Sequence, residues 1–426
     1  MQEDFLHFIW QFQYFNRQQL LTTASESLHI LNPGLANDHA GPDFSQARIR
    51  IGNIEWAGQV EIHIKSSDWE AHQHQHDLAY ENVILHVVWH NDKPICRKDG
   101  SLIPTLELKE RVNVQLLGRY NYLLANKNVI PCASLFALVP DIHKVHALDK
   151  ALMQRLQYKA ATVQELLAVN GQDWEETTYQ WLARSMGFKL NAEPFLQLAK
   201  AIPLKLLQKH RDNLLQMEAL LFGQAGFLEE QSNDAYVQSL QKEYKFLSHK
   251  YQLAGTKLSV GQWKFAKLRP VNFPTLRIAH LAALLQVHQN LFSLFIHTDT
   301  LHAFADILAA PPSSYWQHHY TFEKETKITS HLGKESISNL VINTVVPILA
   351  CYAQQKDKYA YIDTAIAWLE SLPAEDNYIT RLWKELQLPV KNAFDAQASI
   401  ELYNIFCVPV KCLSCPVGVH LIKKSQ

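Results

Sequence analysis

The stretch Val60-Glu61-Ile62-His63-Ile64-Lys65 alternates apolar and polar residues without a break, and Gly41-Pro42-Asp43-Phe44 turns the chain ahead of it. Side chains two apart share one face of a strand. Val60, Ile62 and Ile64 therefore enter one layer, while Glu61, His63 and Lys65 project together into the other. A carboxylate, an imidazole and an ammonium on one strand face cost desolvation free energy unless they pair or bind an ion. The same texture continues outward: Leu28 to Leu31, Ala47 to Ile51, Ile54 to Trp56, Val83 to Trp89 and Leu102 to Leu108 read as strands. Asn32-Pro33-Gly34, His39-Ala40-Gly41-Pro42 and Asp99-Gly100 separate them, and Gly52-Asn53 between two alternating runs predicts a tight hairpin. Ahead of the first strand, Phe5, Phe8, Ile9, Phe12 and Phe15 recur at helical spacing within residues 5 to 22.

Beyond Pro131 the period switches to that of a helix. Residues 141 to 168, 173 to 186, 192 to 222, 234 to 253 and 274 to 294 read as helices, and the helical texture continues to residue 405. The expected fold class is mixed α+β: an α/β sheet domain over residues 1–132, then a mainly helical domain over residues 133–426. A length of 426 residues exceeds what one core usually serves, and 47% apolar residues with 19% charged ones exclude a disordered or collagen-like chain. The net charge of -1 supplies no global field for nucleic acid. The charge is uneven, however: residues 1–132 hold 11 Lys+Arg and 15 Asp+Glu, and the remainder 29 and 26. Met1-Gln2-Glu3-Asp4 is acidic where a signal peptide is basic, and the longest apolar stretch, near Val341 to Ala353, is short for a membrane span. A cytoplasmic protein without membrane contact is expected.

Asp43 after the Gly-Pro turn, together with the acid on the strand that ends in Lys65, resembles the PD-(D/E)xK nuclease superfamily. In that superfamily an Asp after a turn and an acid two before a Lys, on adjacent strands, bind a divalent metal and activate water. The resemblance implies a restriction-endonuclease-like sheet, with Asp43 and Glu61 holding Mg²⁺ or Mn²⁺ and Lys65 orienting the water. The sequence departs from the motif at His63, which stands two before Lys65 where the superfamily has an acid. As a nitrogen ligand, His63 shifts the preference toward Mn²⁺ or Zn²⁺. The alternative is a salt-bridged polar strand face.

Histidine is the compositional outlier, with 21 residues. His72-Gln73-His74-Gln75-His76-Asp77 puts three imidazoles on one face if extended, and His-x-His spacing lets two rings reach one ion. His72, His74, His76 and Asp77 thus join Asp43, Glu61 and His63 as candidate metal ligands, against the alternative of an exposed polar loop. His86 and His90, in an apolar run, read as core or edge residues. Cys407, Cys412 and Cys415 have the spacing of zinc or iron–sulfur ligands, with Cys132 the candidate fourth ligand and His420 the runner-up. The alternative there is four reduced thiols without metal. Lys264, Lys267, Arg269 and Arg277, interleaved with Trp263, Phe265 and Phe273, suit phosphates and stacked bases. The same composition suits a loop that buries Trp263 and Phe273.

Over its whole length, through Gly41-Pro42-Asp43-Phe44, Ser67-Asp68-Trp69, Arg269-Pro270-Val271-Asn272-Phe273-Pro274 and Cys412-Leu413-Ser414-Cys415, the sequence resembles a bacterial family designated domain of unknown function 2851. That resemblance implies no activity. The leading expectation is a metal-dependent nuclease with nucleic acid as partner. Two alternatives stand beside it: a metal-stabilised binding or scaffold protein, and a zinc hydrolase built on His72 to His76.

Overall fold

Phe5, Leu6, Phe8, Ile9 and Trp10 are buried along α1 (Glu3–Gln11), the first helix in a computed structural model that describes residues 2–37, 39–298, 300–326 and 332–423. The helix expected as far as residue 22 stops here, because Gln13 takes a left-handed φ of 55° and Phe12 is left exposed. The sheet follows: β1 (Leu28–Asn32), β2 (Leu35–Ala36), β3 (Phe44–Ile51), β4 (Ile54–Lys65), β5 (Val83–His90) and β6 (Thr105–Glu107). Its order is β1-β3-β4-β5-β6, with β2 paired to β3. β1, β3 and β4 are antiparallel, whereas β4–β5 and β5–β6 are parallel.

Gly52-Asn53 makes the expected hairpin, with Ile51 opposite Ile54 and Gly52 at a φ of 57°. The two runs read as separate strands, 54–56 and 60–65, are one strand. Gly58 joins them where β5 comes so close that a Cβ would sit 2.5 Å from Ile84 Cγ2. Parallel neighbours require a crossover connection. Between β4 and β5 it consists of α2 (Asp68–Ala71) and two 3-10 turns, His74–His76 and Leu78–Tyr80. β5 is buried from Val83 to Val88, as expected of a parallel strand covered on both faces. α1 and α2 both pack on β4.

This sheet belongs to the first of two compact units, made of Met1–Asp149, Glu385–Leu388 and Glu401–Gln426. The expected boundary at residue 132 lies inside it. The second unit, Lys150–Lys384 and Pro389–Ile400, is mostly helical. Several of its helices start on side-chain caps: Asp173 accepts from the Glu176 N–H, Asn213 from Gln216, and Asp234 from Tyr236 and Val237. The run expected as one helix over 192–222 is three, Ala192–Ala201, Leu204–Gln208 and Leu214–Gln224. Pro203 causes the first break, since it lacks an N–H and drives Ile202 into an extended conformation. Within this unit Glu218 is 1% exposed, and it accepts a hydrogen bond from the Tyr236 hydroxyl at 2.9 Å. Burial pushes its carboxyl up to about 7. The stretch Lys334–Lys356 is long and apolar enough to cross a membrane, but 67% of its apolar window is buried inside the protein.

Candidate metal centre

The alternation of β4 puts Glu61 and His63 on one face, and the pairing of Phe44 with Val60 brings the residue before β3 alongside them. Asp43 is held there at three points. Its N–H donates to Glu61 Oε2 at 3.1 Å, its Oδ2 accepts from the Ile62 N–H at 2.9 Å, and Oδ2 lies 3.3 Å from His7 Nε2. Glu3 and His7, four apart on α1, fall on the same side of the helix, and the charge of Asp43 acts on both.

The crossover supplies the remaining imidazoles. Asp68 opens α2 by accepting the Lys65 N–H at 2.9 Å; the helix ends at His72, and Gln73 takes a left-handed φ of 62° before the His74–His76 turn. That kink returns His74 toward β4. His72 Nδ1 stands 3.2 Å from His63 Nε2, and Glu61 Oε1 lies 3.5 Å from His63 Nε2 and 3.4 Å from His74 Nε2. Behind them, His63 Nδ1 shares a hydrogen bond of 2.8 Å with His86 Nε2 on β5, the residue registered opposite Glu61. Trp69 forms an apolar wall with its ring edge-on to His63, His74 and His86, and Tyr80 stacks on His74 at 3.8 Å.

Burial, reinforced by the neighbouring imidazoles, pulls His63 down to about 2 and His86 to about 3, and burial lowers His74 as well. These rings are therefore neutral, the form that ligates a metal. Burial first and the charge of Asp43 second raise Glu61. Burial opposes protonation of His7, but its hydrogen bond to Asp43 and that residue's charge prevail and raise it. The buried Nε2 of His74 and Nδ1 of His86 make no hydrogen bond. Among the described residues, His63, His72 and His74 form the one group of three potential ligands whose ligand atoms all lie within 4.8 Å of one another. Zn–N bonds of about 2.0–2.1 Å set tetrahedral ligands about 3.3 Å apart, and the His63–His72 pair matches that spacing.

The structure thus gathers Asp43, Glu61, His63, His72 and His74 and leaves other candidates outside. Lys65 is exposed where β4 ends and makes no ion pair among the described residues. His76 and Asp77 are exposed, because the turn after Gln73 replaces the extended run that would have aligned them, and Asp77 caps the Ala79 N–H instead. Arg277 is 1% exposed, with its guanidinium 4.7 Å over the Phe188 ring and bonded to Asn272 and Ser336, so it presents no charge to a phosphate backbone. Lys264, Lys267 and Arg269 are exposed, and the last lies 4.0 Å from Glu335. Trp263 is buried, its Nε1 donating to the Ala225 carbonyl. Cys132, Cys407, Cys412 and Cys415 are all buried in the first unit. Sequence reasoning missed His7, Glu3, Tyr80 and the part played by His86; the Glu3/His7 spacing on a helix was the one available signal.

A model of the family described as Protein of unknown function (DUF2851) matches residues 3–378, which include every residue of this centre. The chain belongs to that family. Searches among curated proteins and among solved structures returned no match.

Proposed function

We propose that this protein is a divalent-metal-dependent hydrolase that cleaves phosphodiester bonds in nucleic acid, with His63, His72 and His74 as metal ligands and Glu61 as the adjacent carboxylate. The observation that carries the reading is the clustering of three imidazoles, two of them held neutral by burial, with the Glu61 carboxyl group beside His63 and His74. Three protein nitrogens leave a coordination position open, as catalytic rather than structural centres do. A divalent ion bound there supplies Lewis acidity and makes water a nucleophile near neutral pH. With the ion bound beside it Glu61 would be held as the carboxylate and take the proton from the attacking water, while Asp43 holds Glu61 through its N–H and His7 stands 3.3 Å from Asp43.

Phosphodiester chemistry is supported by the arrangement of elements: a helix, three antiparallel strands, a crossover and a parallel strand, with Asp43 before β3 and Glu61 on β4. This is where the nuclease resemblance puts its two acids. Counted from Glu61, the position two further on is His63, so an imidazole stands where the superfamily has Lys. A cytoplasmic setting goes with this reading.

The deep burial of Glu61 and His63 favours a second reading, a structural metal that fastens the crossover to β4. One experiment separates them. Purified protein should bind one Zn²⁺ or Mn²⁺ in this centre and cut DNA or RNA; His63→Ala and His74→Ala should lose both the ion and the cutting, and His76→Ala should lose neither. Metal bound without cleavage of any nucleic acid would support the structural reading, and wild-type protein that binds no metal would end both.

A further inference from the structure

Four of the six cysteines lie in the first unit at 7–8% exposure, and none is in a disulfide: Cys132, Cys407, Cys412 and Cys415. Cys132 precedes the 3-10 turn Ala133–Leu138, and Cys407 ends the wide helical turn Tyr403–Cys407. From Cys407 the chain reverses tightly. The Val410 N–H donates to the Cys407 carbonyl at 3.1 Å, Lys411 to Phe406 at 2.8 Å, and Cys415 to Cys412 at 3.3 Å. The reversal forces Val410 to a φ of 55°, a conformation that costs a β-branched residue dearly. Gly418 lies against the Cys412 carbonyl so closely that a Cβ would be 2.2 Å from its oxygen. The loop therefore spends backbone strain where Cys407, Cys412 and Cys415 are brought within nine positions of one another and buried.

We propose that Cys132, Cys407, Cys412 and Cys415 together hold an iron–sulfur cluster. In all six pairings the thiols lie near enough for the charge of one to act on another. A single zinc ion does not fit the spacing. Zn–S bonds of about 2.3 Å require sulfurs about 3.8 Å apart. No three of these sulfurs lie within 4.8 Å of one another, since the histidine trio is the one such group among the described residues. A cluster, assembled from iron and inorganic sulfide, gives each thiolate its own iron at a separate corner and so accepts wider spacing. It would close the long loop from Cys132 to Cys407 and hold the helix Pro416–Lys423 in the first unit.

The test uses the full chain purified without oxygen. Iron and acid-labile sulfide should be present at about four of each per chain, with broad visible absorption that dithionite bleaches. Cys132→Ser and Cys415→Ser should lose iron and sulfide, while Cys96→Ser and His63→Ala should keep them, which separates this centre from the histidine site. Mössbauer spectra of the wild-type protein should show thiolate- and sulfide-ligated iron even where a variant fails to fold. Zinc at one per chain without sulfide, or iron unchanged in the Cys132 variant, would overturn the proposal.

Discussion

Glu218 carries a pH dependence that can be read residue by residue. Burial raises its carboxyl from a glutamate's ordinary 4.5 to about 7, so the folded protein holds a proton that the unfolded chain releases earlier. Stability from this group is fully present below pH 4.5 and is lost as pH rises through 7, by roughly 3 kcal/mol in all. Glu218→Gln keeps an oxygen for the Tyr236 hydroxyl and removes the ionisation. The variant should match the wild type near pH 4.5 and exceed it in denaturant midpoint at pH 8; equal midpoints at both pH values would refute the assignment. At this scale the sequence was most legible where period two rules: Glu61 and His63 face Asp43 because strand geometry leaves them no choice. It was misleading where one residue changes the backbone sense. Gln73 is an ordinary residue in a left-handed conformation, and nothing in its identity announces the kink that aligns His74 with His63 and turns His76 out.

Two glycines make opposite forecasts at the scale of the element. Gly58 lies where β4 meets β5, and a Cβ there would sit 2.5 Å from Ile84 Cγ2 and 2.6 Å from the Asn82 carbonyl. Gly58→Ala should destabilise the sheet by about 1–3 kcal/mol in urea titrations. Gly118 sits within the helix Val114–Ala125 with nothing within 4 Å of such a Cβ. Gly118→Ala should stabilise by about 0.5–1 kcal/mol. A stabilised Gly58 variant would mean that β5 does not press on β4. Strand existence and the Gly52-Asn53 hairpin were legible because alternation and turn chemistry are local. The parallel pairing of β4 with β5 was not, since a period of two is the same whichever way the neighbour runs. Helix ends failed for the same reason: Phe12 continues the apolar pattern past the point where Gln13 ends the helix.

For the whole molecule, the division into units predicts where loss of the proposed metals would be felt. A ligand that binds only the folded state stabilises by about 4 kcal/mol when present at 1,000 times its Kd. Chelation should therefore raise amide hydrogen exchange through β4, β5 and the crossover, and in residues 401–423, while residues 150–384 keep their protection. Uniform deprotection of the chain would contradict the division. The boundary itself was hidden from sequence, because composition changes near Pro131, whereas the first unit is completed by residues that return to it from beyond 400.

That return has a consequence for synthesis. A ribosome delivers the whole of residues 150–384 before the last pieces of the unit encoded first, so that unit must wait, its sheet made but its C-terminal segments missing, while the intervening helices are made. At about 5–20 residues per second, Cys132 emerges roughly 15–55 s ahead of Cys407. For that interval it is without the three thiols proposed to join it, open to oxidation or to capture by whatever metal the cell offers first.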